Sequence, residues 1–422
     1  MTENLLQFIW QFQYFNKSDL LTVMGERITI ADPGTINYNQ GPDFLDAKIE
    51  IGRTTWAGTV ELHVLSSDWI KHKHGKDENF NNVVLHVVWQ DDEGTPGSVP
   101  NVPVLELQDR VPKILLRRYE ELMNNTSFIP CEKSIHRVRD LTWISWKERM
   151  LAERLLRKSA AVELLFQQSN SHWEETFWWL LARSYGMKVN AAAFEAIART
   201  IPLTILAKHR NQIHQLESLL LGQAGLLNHD FKEEYPSLLK REYYFLMDKY
   251  RLKPAHIPVL FLRMRPGNFP SVRLAQLATL LNESVHLFSK IREANTVKHV
   301  RELFDVHAND YWHYHYKFDE ETEFKKKRTG SGMINSIIIN TVVPVLFTYG
   351  NYHHENKYKL KALEWLIQTE PEVNYITRGF HNIGIENKNA YDSQALIELK
   401  NNYCDSKKCL ECSIGNAILK QE

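Results

Sequence analysis

The segment 44–51 (FLDAKIEI) constrains the fold most, because its apolar and polar residues alternate with the two-residue period of a half-buried β-strand. Leu45 and every second residue after it are apolar and are predicted to face the core. Phe44, Asp46 and Lys48 are predicted to lie on the opposite face. An acid and a cation therefore share the polar face of this predicted strand.

A second predicted strand follows directly and completes a hairpin. Gly52 opens a turn, and residues 56–64 (WAGTVELHV) have the composition of a strand. Glu61 and His63 are two residues apart in it and therefore lie on one face. The pattern predicts that acids from both strands and one histidine converge.

The flanking segments extend the hairpin into an α+β domain with a mixed β-sheet. A serine hydroxyl caps a short predicted helix that runs through Lys73. Residues 83–89 (VVLHVVW) are predicted to form a strand that is buried on both faces. A helix is predicted over 5–15, and residues 27–30 supply one more strand. The predicted order of elements is αβββαβ.

This order resembles the PD-(D/E)XK nuclease family, also called restriction-endonuclease-like. Pro42-Asp43, or Asp46 three residues later, takes the place of the family's first acid, and Glu61-Leu62-His63 takes the place of its Glu-x-Lys. The resemblance implies that Asp46 and Glu61 hold Mg²⁺ or Mn²⁺ and that the protein hydrolyses phosphodiester bonds. It also implies nucleic acid as the partner, whether it is cleaved or, in a decayed form, only bound.

The chain departs from that family at His63, which occupies the position of the lysine. Lys48 could supply a substitute cation, and a neutral imidazole at His63 could accept a proton. If His63 is the base, activity should rise with pH through an apparent pKa near the free imidazole value of about 6.5. The candidate catalytic residues are Asp43, Asp46, Lys48, Glu61 and His63.

A scaffold or binding protein is the non-enzymatic alternative, in which the same residues form a solvated sheet face. Lys48 and Glu50 fit this alternative, because charged residues commonly alternate with apolar ones on a half-exposed strand. Glu61 and His63 fit it less well, since they lie in an apolar run and would need partners if buried.

Histidines are concentrated around the hairpin and suggest another chemistry. The set comprises His63, His72, His74 and His86, with Asp77 among them. Imidazole together with carboxylate suits Zn²⁺, Mn²⁺ or Fe²⁺. A metal hydrolase that acts on a small molecule is therefore a further alternative. The lysines between the histidines also fit a solvated basic helix.

Length and charge limit the remaining possibilities. A chain of 422 residues exceeds one core and predicts two domains. Its formal net charge is zero, so a nucleic-acid surface would have to be local. The most apolar run, 333–347, is too short and too interrupted to span a membrane. The N-terminal sequence lacks the features of a signal peptide, so a cytoplasmic protein without membrane association is expected.

The sequence divides into a sheet domain at 1–110 and an all-helical domain at 111–422. Residues 90–103 are acidic and rich in Gly and Pro, as in an exposed loop. Long helical patterns such as 143–165 dominate the second part.

A basic segment (RMRPGNFPSVR, 263–273) precedes one of the predicted helices. Pro270 is suited to open that helix. Arg265 and Arg273, together with Arg263, could bind a phosphate near its N-terminus. An interdomain set of salt bridges is the alternative.

Three cysteines near the C-terminus, Cys404, Cys409 and Cys412, have the spacing C-x4-C-x2-C, and Cys131 is the only other cysteine. Close spacing without an export signal favours thiolate ligation of zinc or of an iron–sulfur cluster over disulfides. We expect the three to share one metal and Cys131 to be the fourth ligand. The alternative is free thiols near a frayed terminus. The pattern also resembles the iron–sulfur staple of some PD-(D/E)XK nucleases.

Over essentially its full length the chain resembles an uncharacterised bacterial family that is catalogued only as a domain of unknown function. The segments that carry this resemblance are GPDF, WAGTVELH, SSDW, VVLHVV, RPGNFP and CLEC. The resemblance implies no established activity.

Overall fold

A computed structural model describes residues 1–72, 74, 77–92, 102–262, 264–284 and 286–420. It confirms the predicted class, a mixed sheet near the N-terminus followed by a helical region. The chain divides into unit 1, Met1–Trp146 with Leu399–Glu422, and unit 2, Lys147–Glu398. The C-terminal segment thus belongs to the unit that holds the sheet. Lys73, Arg263 and most of the predicted loop 90–103 lie outside the described residues.

Six strands form one mixed sheet in unit 1. They are β1 (Ile28–Asp32), β2 (Thr35–Ile36), β3 (Phe44–Ile51), β4 (Thr54–Leu65), β5 (Val83–Gln90) and β6 (Val104–Glu106). Their spatial order is β1-β3-β4-β5-β6, and β2 pairs with the start of β3. β3 and β4 form the predicted antiparallel hairpin, whereas β4 and β5 are parallel. The crossover that a parallel pair requires contains the short helix α2 (Asp68–Lys71).

A β-bulge changes the predicted alternation of β3. The pairing with β4 shifts between Phe44 and Ala47, and Asp46 has a left-handed φ of 59°. Phe44 is fully buried, whereas Leu45 is 38% exposed. The predicted faces of Phe44 and Leu45 are therefore wrong, because one extra residue in a strand reverses the alternation on one side of it. From Ala47 to Ile51 the predicted alternation is correct.

Glycines permit two close approaches in this sheet. Gly34 has a φ of 90°, and a Cβ there would lie 2.6 Å from the carbonyl oxygen of Leu45. A Cβ at Gly58 would lie 2.5 Å from Val84, which faces it from β5. Any side chain at either position would push the strands apart.

The first helix of unit 1, α1 (Glu3–Gln11), packs against β4. Thr2 caps it by accepting a hydrogen bond from the N–H of Leu5, and Leu6 and Ile9 are fully buried. Its Trp10 indole donates to the carbonyl oxygen of Pro33 over 3.0 Å. The remaining helices that lie wholly in unit 1 and its C-terminal segment are α2, α3 (Lys113–Asn124) and α19 (Ser413–Leu419).

The described residues of unit 2 form helices and the loops between them, with isolated β-bridges between His307 and Arg328 and between His315 and Glu321. The long helix α4 (Asp140–Gln168) leads into it. Its further helices are α5 (Trp173–Tyr185), α6 (Met187–Thr200), α7 (Leu203–Lys208), α8 (Ile213–Gln223), α9 (Glu234–Tyr250), α10 (Pro270–Glu283), α11 (Leu287–Glu293), α12 (Val297–Phe304), α13 (Tyr311–Tyr314), α14 (Ser331–Ile337), α15 (Val343–Tyr352), α16 (Asn356–Ile367), α17 (Tyr375–Asn382) and α18 (Ala390–Leu399).

Helices α14 and α15 continue into each other as one apolar helix, Ser331–Tyr352. The π-helical residues Ile338–Val342 connect them ahead of Pro344, whose nitrogen has no hydrogen to donate. By length and composition this helix could cross a membrane, but 67% of its most apolar stretch is buried inside the protein. That degree of burial is typical of a core helix.

Candidate functional site

Two acids are fixed beside each other where β3 begins. The N–H of Asp43 donates to Oε2 of Glu61 over 3.1 Å, and the N–H of Leu62 donates to Oδ2 of Asp43 over 3.0 Å. The Gln7 amide from α1 donates to Oδ1 of Asp43 over 2.8 Å. The hairpin therefore holds Asp43 against Glu61, and both oxygens of Asp43 are already hydrogen-bonded.

Burial shifts the titration of both acids. It raises the pKa of Glu61 well above the usual range for glutamate, and the nearby negative charge of Asp43 raises it further. Burial also raises the pKa of Asp43, although the hydrogen bonds from Leu62 and Gln7 oppose the shift. Without a cation the ionised form of Glu61 is therefore unfavourable.

Four imidazoles meet beside Glu61. Nε2 of His63 lies 3.1 Å from Nδ1 of His72 and 3.3 Å from Nε2 of His74. Nδ1 of His63 lies 2.9 Å from Nε2 of His86 on the neighbouring strand. Oε1 of Glu61 lies 3.3 Å from Nε2 of His74 and 3.6 Å from Nε2 of His63. The acids and histidines, which the sequence suggests as alternatives, form one cluster.

Aromatic residues position these imidazoles. The buried ring of Trp69 lies in edge or tilted contact with His63, His74 and His86, with centroid separations of 5.0 to 6.4 Å. Phe80 stacks on His74 with a centroid separation of 3.9 Å. Because Trp69 belongs to α2 and Phe80 to the turn before β5, the crossover between the parallel strands aims His72 and His74 at His63.

The distances fit one metal ion. One ligand nitrogen from each of His63, His72 and His74 lies within 4.8 Å of the other two. Nitrogen or oxygen ligands about 2.0 to 2.1 Å from a tetrahedral Zn²⁺ are roughly 3.3 Å apart, which matches the separations of 3.1 to 3.6 Å between the ligand atoms here. His63 and Glu61 are buried and His72 is exposed, so the cluster opens to solvent on one side.

The pKa values of His63, His74 and His86 are lowered, which favours the neutral form that binds metal. Burial and the neighbouring imidazoles lower the pKa of His63 to about 3. Burial likewise lowers the pKa of His86 to about 4 and lowers that of His74. Neutral imidazole is the form that binds metal, whereas a titration of His63 near its free value is not expected.

Other predicted residues lie away from this cluster. Asp46 is exposed in the bulge. Lys48 is exposed and pairs with Ala57, four residues before Glu61 and therefore roughly 13 Å away along β4. Asp77 caps the 3₁₀ turn Glu78–Phe80 by accepting from the N–H of Asn79.

Gln7 is a site residue that the sequence analysis missed. Its position three residues before the buried Trp10 of α1 was the available signal. A polar residue next to a buried helix face commonly has a partner beneath it. Here the partner is Asp43.

The structure also gathers the four cysteines in unit 1. Cys131, Cys409 and Cys412 are buried and Cys404 is half-buried. Burial and the proximity of the other cysteines raise the pKa values of the Cys131 and Cys404 thiols. The distant Cys131 therefore lies beside the C-terminal cluster.

The two arginines of the predicted phosphate-binding site are in different environments. Arg265 is exposed, whereas Arg273 is 7% exposed and lies in the first turn of α10. Arg273 faces a cavity that other polar residues of unit 2 line.

Comparison with known proteins gives one match. A family model described as "Protein of unknown function (DUF2851)" matches residues 3–375. No curated protein matches the chain. No solved structure matches it either.

Proposed function

The chain belongs to the DUF2851 family of proteins of unknown function, and we propose from the geometry of its site that it is a metal-dependent hydrolase of phosphodiester bonds. The metal would be held by His63, His72, His74 and Glu61. Nucleic acid is the first substrate class to test.

One observation carries the proposal. Three imidazole nitrogens lie within 4.8 Å of one another, and Oε1 of Glu61 lies 3.3 Å from Nε2 of His74. Burial favours the neutral form of Glu61, and a divalent cation is the partner that would make its ionised form favourable. A buried acid beside this group of imidazoles thus fits a cation site better than a solvated sheet face.

The donor set favours Zn²⁺, Mn²⁺ or Fe²⁺. Three nitrogens and one oxygen suit these ions better than Mg²⁺, which prefers oxygen ligands and retained waters. Both oxygens of Asp43 accept hydrogen bonds, so a site made only of Asp43 and Glu61 has little free ligand capacity. The expected metal site is therefore formed mainly by the histidines and not by the two carboxylates alone.

The order of elements supports a phosphodiester as substrate. Helix α1, strands β1, β3 and β4, helix α2 and strand β5 follow in the order αβββαβ when the two-residue β2 is set aside. Asp43 precedes the second of these strands, and Glu61 and His63 lie on the third. This arrangement supports the proposal, because Asp43 and Glu61 are among the acids that the resemblance to nucleases predicts for the site.

The chain's own residues have separable roles. Glu61 and the three histidines would hold the ion, and His86 would orient His63 through Nδ1. Asp43 lies against Glu61 and fixes its carboxylate. A bound divalent ion would polarise the phosphate and activate water. The exposed edge at His72 gives a substrate access to this point.

The test is cleavage by the full chain loaded with Zn²⁺, Mn²⁺ or Mg²⁺. The substrates are single- and double-stranded DNA, RNA and bis(p-nitrophenyl) phosphate. Glu61→Gln should lose activity and remain folded, because it removes a ligand charge at constant size. Glu50→Gln, which changes an exposed acid of β3, is the matched control.

Each outcome selects one function. Cleavage of DNA or RNA that depends on Glu61 supports a nuclease. Cleavage of the small diester alone supports a small-molecule hydrolase. Metal binding with no cleavage of any substrate overturns the enzymatic proposal and leaves a metal-stabilised binding protein.

A further inference from the structure

The four cysteines come from two stretches of chain that the fold of unit 1 brings together. Cys131 precedes the 3₁₀ helix Glu132–Arg137, and Cys412 precedes α19. These two helices pack against each other. Cys131 and Cys412 therefore lie where the contacting helices begin.

The C-terminal loop is tightly built around its cysteines. The N–H of Lys407 donates to the carbonyl of Cys404 over 3.1 Å, and the N–H of Cys412 donates to that of Cys409 over 3.4 Å. A Cβ at Gly415 would lie 2.2 Å from the carbonyl oxygen of Cys409, so the first turn of α19 rests directly on this loop. A frayed terminus would not show such contacts.

Three of the four cysteines are buried, and Cys404 is half-buried. Cys131, Cys409 and Cys412 are each 7 to 8% exposed. None of the four cysteines forms a disulfide.

We propose that Cys131, Cys404, Cys409 and Cys412 bind one metal centre through their sulfurs. Thiolates select zinc or iron–sulfur clusters, and the experiment distinguishes these two forms. In either form the centre would tie the C-terminal segment to the region after α3.

Anaerobic purification of the full chain, with analysis of metal and sulfide and a visible spectrum, tests this proposal. A brown protein that contains iron and sulfide supports a cluster, and a colourless protein with one additional equivalent of zinc supports a single ion. X-ray absorption of the wild type should show sulfur ligands about 2.3 Å from the metal. This readout needs no variant.

Variants then separate the two metal centres. Cys404→Ser, at the most exposed of the four cysteines, should lose this metal, whereas His72→Ala should retain it. A metal-free native protein whose four thiols all react freely with a thiol reagent would overturn the proposal. So would a metal content that Cys404→Ser leaves unchanged.

A second observation, independent of the cysteines, concerns Arg273 of unit 2, which is buried. Its Nη1 donates to Gln276 over 2.8 Å and its Nη2 donates to Asn268 over 2.6 Å, both to amide oxygens. Its Nε has no hydrogen-bond partner among the described residues. Burial of an ionised group without a counter-charge is unfavourable. Burial accordingly lowers the pKa of Arg273.

A cavity of about 530 Å³ adjoins this guanidinium. The polar residues that line it include Lys188, Asn268, Arg273, Ser336 and Asn340. Lys188 is exposed, and Arg183, which forms an ion pair with Glu195, also lines the cavity, so three cations and several hydrogen-bonding groups surround one open space. A volume of this size accommodates a ligand as large as a nucleotide.

We infer that this cavity binds a phosphate-bearing ligand whose anionic oxygens pair with Arg273 and Lys188. The planar guanidinium suits two phosphate oxygens at once, and Asn268 holds it in place. The phosphate could belong to a free anion, to a nucleotide or to a nucleic-acid backbone.

The test is a calorimetric titration of the full chain with inorganic phosphate, with a mononucleotide and with a single-stranded oligonucleotide. Arg273→Met should weaken binding by at least about tenfold, as expected for a charged hydrogen bond. Lys188→Ala should have a smaller effect, and Arg241→Ala, at an exposed arginine that does not line this cavity, is the control that should bind normally.

The pattern of binding identifies the source of the phosphate. Binding of the free anion or nucleotide indicates a small-ligand site, and binding of the oligonucleotide alone indicates a backbone contact. If Arg273→Met does not fold, Arg273→Lys is tested instead. It keeps the positive charge but cannot donate two parallel hydrogen bonds to a phosphate, so it should still weaken binding. Failure of all three probes to bind the wild type, or equal binding by the Arg273 variants, overturns the inference.

Discussion

Oε1 of Glu61 lies 3.3 Å from Nε2 of His74. Glu61 is part of a central strand and His74 belongs to the connection that leaves it, thirteen residues later. The contact merges an acid pair with a histidine cluster, and these two sets suggest different enzymes when the sequence is considered alone. Their union defines the candidate metal site.

Loss of His72 should weaken metal binding. His72 is exposed, so His72→Ala should fold normally. Because His72 is proposed as a direct ligand, its loss should strongly lower the affinity of this site for Zn²⁺ or Mn²⁺. The decrease should exceed the roughly 10- to 100-fold cost of losing a residue that only hydrogen-bonds to a ligand. Titration with a competing chelator measures this change. His256→Ala, at another exposed histidine, is the control, and equal affinities would exclude His72 as a ligand.

Loss of His86 should weaken metal binding less than loss of His72 does, and it should not change the number of metal ligands. His86→Phe fills the buried space but leaves Nδ1 of His63 without its partner. The metal affinity should fall about 10- to 100-fold while the number of ligands stays the same. X-ray absorption and chelator titration together measure both quantities. A change in ligand number would mean that His86 binds the metal directly.

The bulge gives Asp46 a conformational role. Its φ of 59° is costly for a β-branched residue and free for glycine. Asp46→Val should lower the free energy of unfolding by about 1 to 2 kcal/mol, whereas Asp46→Gly should be neutral or stabilising. Urea denaturation measures this difference. Loss of metal binding or cleavage in the well-folded Asp46→Asn would place Asp46 in the site after all.

Glu217 should make the stability of unit 2 depend on pH. It is fully buried, accepts hydrogen bonds from Tyr235 and Trp312, and burial raises its pKa from 4.5 to about 7. Between these values the folded chain keeps a proton that the unfolded chain releases, so the free energy of unfolding falls as pH rises, by about 3 kcal/mol in total.

Glu217→Gln removes this titration while keeping an acceptor for both partners. Denaturation at pH 5 and pH 8 should therefore show a smaller loss of stability in the variant than in the wild type. Glu302→Gln, at an exposed position, should behave like the wild type. Parallel pH profiles for wild type and Glu217→Gln would contradict the prediction.

Gly222 should tolerate no side chain. A Cβ there would lie 2.0 Å from the ring of Tyr243 on α9. Tyr243 is only 1% exposed. Gly222→Ala should lower the free energy of unfolding by about 1 to 3 kcal/mol, as overpacking does. Gly267→Ala, which meets no atom within 4 Å, is the control for thermal denaturation. Equal melting temperatures would show that the helices can separate at little cost.

Local patterns in the sequence predicted the framework of unit 1. The two-residue alternation in 47–51 and the glycine turn after it predicted the hairpin, and the apolar run at 83–89 predicted the buried strand. The side-chain period of a strand is a property of neighbouring residues, so it can be seen without the fold. The same period placed Glu61 and His63 on one face.

Only the tertiary structure decided which acid joins Glu61 and which residues surround it. The bulge at Asp46 depends on cross-strand pairing between Phe44 and Val60, and it leaves Asp43 as the partner of Glu61. His72 and His74 meet His63 because a parallel crossover folds back over the sheet. Cys131 meets its C-terminal partners because the chain end returns to unit 1. Contacts between residues far apart in sequence depend on packing, and no local periodicity encodes them.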